Sequence, residues 1–139
     1  MCRVTVAVLL LFSSVATLAA PLPDNSAIVG VWTGKMDSLP MITLTVEEED
    51  GKLIGAVLFY LIRRNPSGPP SASPGVPEPL IDPTFDGKTL TFKVSHRHAH
   101  PGTEHDPPVT FRFELTSANK LKGLNGEGPS VEMLRNTPY

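Results

Sequence analysis

The sequence predicts an all-β protein, an eight-stranded antiparallel up-and-down meander closed into a small barrel. Apolar and polar residues alternate wherever the chain is apolar, as where Ile42, Leu44 and Val46 interleave with Thr43, Thr45 and Glu47. A period of two gives a strand one dry face and one wet face, the mark of an antiparallel sheet. Asp50-Gly51 and Asp86-Gly87 each separate two such runs, and Asp-Gly supplies the positive φ angles of tight hairpins. No stretch of ten or more residues repeats at helical spacing.

The first element is an address rather than a strand. Arg3 is followed by an apolar run from Val4 to Phe12, broken only by Thr5, and then by small residues ending Ala16-Thr17-Leu18-Ala19-Ala20. Charge, apolar stretch and small residues in that order predict a signal peptide over 1–19, cut after Ala19. The run is shorter than the ~20 residues that span a bilayer, so no membrane anchor is expected in the mature chain. Cys2, the only cysteine, leaves with this segment, so the mature protein is expected to be secreted or periplasmic and free of disulfides. It lies ahead of the apolar run, where no lipid attachment site falls.

An extension over 20–27 precedes the barrel domain at 28–135. Strands are expected at 28–36, 41–48, 53–63, 80–85, 89–98, 109–117, 120–125 and 130–135. The third is apolar on both faces, so its outer face needs a cover. Tight turns follow the second, fourth and sixth strands; the connections 36–41, 64–79, 97–108 and 125–130 are longer. Alternate connections of a meander lie at the same end, so one end is closed and the other carries the long loops. Closure into a barrel removes exposed edges.

With 12 Lys+Arg against 14 Asp+Glu in 139 residues, the net charge of −2 argues against nucleic acid as a partner. No Gly-x-Ser-x-Gly motif and no phosphate-binding glycine loop occurs, and Ser95 and His96 would face opposite sides of a strand, so no catalytic residues are assigned. Glu47-Glu48-Glu49-Asp50 enters a tight turn and reads as hydrated surface.

Gly30-Val31-Trp32 on the first strand, Asp50-Gly51-Lys52-Leu53-Ile54-Gly55 at a turn and Arg135 near the end together resemble the calycin-type small barrels, the lipocalin and avidin group. The resemblance implies a closed lipocalin-like barrel in which Trp32 and Arg135 meet as a cation–π contact. It departs from the lipocalins in its short mature length and its lack of a Thr-Asp-Tyr motif, and from the avidins in having one tryptophan and Gly34 in place of an asparagine.

The leading expectation is a non-enzymatic barrel binding a small, apolar ligand at its open end, lined by Trp32, Leu44, Phe92, Val94, Phe111 and Phe113. The inward faces also hold Ile42, Val46 and Leu90, and these same residues are the core. A second expectation is an interaction or inhibitor-type module that docks an exported protein through the proline-rich loop 64–79 and the histidine-rich loop 96–108. Six prolines between Asn65 and Pro79 predict an extended segment with no core of its own. The third is periplasmic metal binding. His96, His98, His100 and His105 fall within ten residues, the first three on one face of a continued strand, which suits zinc, or copper or nickel by imidazole preference.

Overall fold

The computed structural model describes residues 24–95, 107–124 and 130–136. A single 3-10 turn, Asn25–Ala27, leads into ten strands: β1 (Gly30–Met36), β2 (Leu39–Glu49), β3 (Lys52–Arg63), β4 (Ser71–Pro74), β5 (Glu78–Pro79), β6 (Ile81–Phe85), β7 (Thr89–Val94), β8 (Val109–Ser117), β9 (Lys120–Gly123) and β10 (Glu132–Arg135). No α-helix occurs among the described residues. The strands form one sheet in the order β4-β3-β2-β1-β10-β9-β8-β7-β6, with β5 also paired to β3, and every pairing is antiparallel. The sheet curls into a half-barrel.

The alternation in sequence becomes the wall of a core. Ile42, Leu44 and Val46 of β2, Leu90, Phe92 and Val94 of β7 and Phe113 of β8 are buried together with Trp32, Leu121 and Met133. Burial of each large apolar side chain contributes about 1.5–3 kcal/mol, and a chain with a single cysteine relies on that burial rather than on an internal disulfide. Three rings stack along β7 and β8: Phe111, Phe92 and Phe113 have successive centroid separations of 5.7 and 5.9 Å.

Three expected connections are tight turns, at Asp50-Gly51, at Asp86–Lys88 and at Ala118-Asn119. Asp50 and Gly51 both have positive φ, 51° and 73°, as the hairpin requires. At the second turn the Asp86 carboxylate accepts the N–H groups of Lys88 and Thr89 at 2.8 and 2.6 Å. These turns lie at one end of the curled sheet, and the 3-10 turn joins them there.

Two connections differ from expectation. The segment 36–41 is not a long loop: Asp37 and Ser38, with φ of 49° and 69°, form a two-residue hairpin, and β2 begins at Leu39. Pro40 is accommodated beside a register shift in which Gly34 faces Ile42 and Lys35 faces Pro40, leaving Met41 without a partner on β1. An extra residue of this kind is a β-bulge. The segment 64–79 is likewise more than a loop. β3 runs on past its pairing with β2 and folds back through β4, pairing Tyr60 with Pro74 and Arg63 with Ser71. Proline cannot donate to a ladder and is confined to edges, and β4 is an edge strand. The expected fourth strand, 80–85, starts earlier in effect. β5 pairs with β3, the Leu80 N–H donates to the Gly55 carbonyl at 3.0 Å, and β6 then pairs with β7.

Candidate functional site

The closed end is sealed by Trp32 and Arg135. Trp32 is fully buried, and its Nε1–H donates to the Ile28 carbonyl at 2.9 Å. Arg135 lies opposite it in the β1–β10 register, with its guanidinium carbon 4.3 Å from the ring centroid. Its donors reach three carbonyls: Nε to Ala118 at 3.1 Å, Nη1 to Val29 at 2.6 Å and Nη2 to Ala27. The planar fork of arginine suits this arrangement. Gly30 makes room for it, since a Cβ there would stand 3.3 Å from Nη1.

The polar chemistry at this end is structural. Backbone N–H groups of Thr89 and Lys88 hold the Asp86 carboxyl below its ordinary range. Hydrogen bonding from Lys88, with Nζ 2.8 Å from Oε1, does the same for Glu114 and raises Lys88 in turn. Asp24 is lowered by its hydrogen bonds with Ser26. Each partner favours the charged form.

Away from that end the described residues border two largely apolar cavities. A cavity of about 230 Å³ is lined by Met41, Ile42, Phe59, Phe111, Phe113 and Val131, with Gly123 and Arg112 completing it. A second, of about 280 Å³, is lined by Phe59, Val76, Val94, Val109 and Phe111, with Gly75, Glu78 and Ser95. Phe59 and Phe111 stand in both walls, their ring centroids 5.6 Å apart and their planes tilted by 37°. Gly34 permits the inner cavity to be as tight as it is: a Cβ there would lie 2.7 Å from Ile42 Cγ2.

Of the residues expected to line a ligand site, Phe111 and Phe113 line the inner cavity, and Phe111 and Val94 the outer one. Trp32, Leu44 and Phe92 line neither; they are packed in the core, Trp32 at the closed end. Phe59, Met41, Val131, Val76 and Val109 enter the walls unannounced. Strand alternation does not assign Phe59, because β3 is apolar on both faces; its register against Ile42 does. Met41 comes in through the bulge.

His96, His98, His100 and His105 lie outside the described residues, as does the signal segment 1–19. Among the described residues no three His, Cys, Asp or Glu side chains gather as a metal site would need. No helix among them is long and apolar enough to cross a membrane. No protein-family model matches the chain, and no curated protein matches it in sequence.

Proposed function

We propose that the chain is a secreted, non-enzymatic β-barrel of the lipocalin and avidin type that binds a small apolar ligand at its open end. The observation that carries this reading is the inner cavity, whose walls are the rings of Phe59, Phe111 and Phe113 and the side chains of Met41, Ile42 and Val131. Ligand sites are concave, largely apolar and frequent in the mouths of β-barrels. In this reading residues 78–85 act as one strand, joined to β3 by its first half and to β7 by its second, and so bring the half-barrel to closure.

The test is native mass spectrometry of untagged mature protein, residues 20–139, together with titration by the neutral dye Nile red. The expected result is a bound small molecule or a saturable, blue-shifted dye signal. Val131→Phe should abolish both while preserving the β-sheet circular dichroism spectrum. A bare protein that binds no dye overturns the reading. A second reading, a protein-docking module, draws on Leu61 and Val76, which are 58% and 61% exposed beside the open end. Large apolar side chains exposed together mark interaction surfaces. Dye binding lost in Leu61→Glu but retained in Val131→Phe would favour it.

A further inference from the structure

The main chain around the inner cavity is largely paired. Phe59 ladders with Ile42, Phe111 with Phe92 and Phe113 with Leu90. The Gly123 N–H donates to the Val131 carbonyl at 2.8 Å, and the Arg112 carbonyl accepts from the Leu124 N–H at 2.9 Å. Arg112 is exposed between Phe111 and Phe113, and alternation along β8 puts its side chain on the other face of the sheet. What remains to meet a ligand is the thioether of Met41, the hydrocarbon of Ile42 and Val131, and three phenyl rings. Among the described residues no buried side-chain nitrogen or oxygen lacks a partner. A hydroxyl or amide brought into this space loses its water and gains no hydrogen bond, a cost that selects against it.

Volume sets the size of the occupant. An apolar cavity of about 150 Å³ takes up benzene. In the same proportion, the inner cavity's 230 Å³ takes about nine or ten carbons, the size of two fused rings. The walls set its kind. Phe111 and Phe113 each lie nearly parallel to Phe92, at 19° and 14°, so the stack makes a flat floor. Phe59 is tilted by 37° from Phe111 at a centroid distance of 5.6 Å. Aromatic rings attract as offset stacks or edge to face at separations of about 4.5–7 Å, and a methionine sulfur adds a favourable contact at a ring edge. A flat arene gains from each of these contacts, whereas a saturated molecule gains from buried area alone.

We propose that the inner cavity takes a bicyclic aromatic group with no hydrogen-bonding substituent on its buried part. Any remainder of the ligand lies past Phe59 and Phe111, which the two cavities share. The proposal rests on the ligand-binding reading above and narrows it to a ligand class. Volume selects two rings, ring contacts select an arene, and the paired main chain rejects polar substituents.

The experiment is fluorescence titration of the mature protein with naphthalene, naphthalene-2,6-diol and pyrene, with decalin followed by its displacement of naphthalene. Naphthalene should bind saturably. The diol carries hydroxyls at opposite ends, so one must enter the cavity, and it should bind at least about fiftyfold more weakly. Pyrene, more apolar but larger, should also bind more weakly than naphthalene. Phe59→Leu replaces the half-exposed ring and leaves the stack in place. It should weaken naphthalene about fivefold and decalin by less than about twofold. Val76→Ser, in the outer wall alone, should leave naphthalene binding unchanged. Equal binding of the diol overturns the exclusion of polar groups, and tighter binding of pyrene overturns the size. Equal losses for naphthalene and decalin in Phe59→Leu overturn the aromatic assignment, and loss of naphthalene binding in Val76→Ser overturns its placement. A protein that binds Nile red but not naphthalene overturns this proposal and leaves the ligand-binding reading standing. One that binds neither overturns both.

Discussion

Arg135 shows how much one side chain can fasten. Its guanidinium covers the Trp32 ring and satisfies carbonyls from the 3-10 turn, from the entry to β1 and from the β8–β9 turn. Hydrogen bonds from charged donors contribute about 1.5–3 kcal/mol each when lost with their partners left behind. Arg135→Lys keeps the charge and loses the fork, so urea unfolding should report a loss of about 2 kcal/mol. A change below about 0.5 kcal/mol would mean that water satisfies these carbonyls. Asp86 gives a pH-dependent counterpart. Its folded carboxyl titrates below the ordinary value of 3.8 because Thr89 and Lys88 N–H groups favour the charged form. Its stabilisation is therefore fully present above that ordinary value and lost as pH falls through the lower, folded one. Asp86→Asn should lower stability most at neutral pH and flatten its fall below the ordinary value of 3.8, so that the urea midpoints of variant and wild type converge in acid.

Among elements, β3 is the most instructive. Gly51 lies in the turn before it and Gly55 within it, and their substitution by alanine separates two kinds of constraint. At Gly51, with φ 73° and open space around it, alanine meets only backbone preference, a cost of about 1 kcal/mol. At Gly55 a Cβ would lie 2.0 Å from the Thr45 carbonyl oxygen of β2. Gly55→Ala must push β2 and β3 apart and should cost about 3 kcal/mol or more; thermal and urea unfolding of the pair measures the difference. The all-β, antiparallel character was legible in the sequence because β2, β7 and β8 each alternate dry and wet faces, and Ile42, Leu90 and Phe113 face inward as their period requires. The paired portion of the proline-rich segment was not. Proline content argues against central strands, yet β4 needs donors on one side only. The aromatic wall of the cavities was half legible. Phe111 and Phe113 follow from alternation, whereas Phe59 follows from register and Met41 from a bulge, and neither register nor bulge can be read before the partner strand is known.

For the whole molecule, the curled sheet has a seam. β3 and β6 diverge between Lys52–Ile54 and Asp82–Phe85, which border a groove of about 480 Å³. The divergence begins where Asp82 takes a φ of 48° and the β6–β7 register shifts between Ile81 and Thr84. Bulges and prolines such as Pro83 blunt an edge against pairing with another chain. Hydrogen exchange should therefore be fastest, among the described strands, in peptides covering 81–85, and slowest in those covering 42–46, where β2 is paired on both sides. Equal protection would place the two in one cooperative unit. The pairing of β1 with β10 carries a consequence for how the chain comes into being. Trp32 meets Arg135, and Thr33 meets Asn136, across more than a hundred residues of sequence. Contacts of such separation form late and slowly. During synthesis the tryptophan emerges early and remains without its arginine until the final strand is made. The protein is thus a chain whose first strand waits for its last. Joining residues 24 and 136 through a short linker and opening the chain at Gly51 would turn that wait into a local hairpin and should speed the pairing of these two strands.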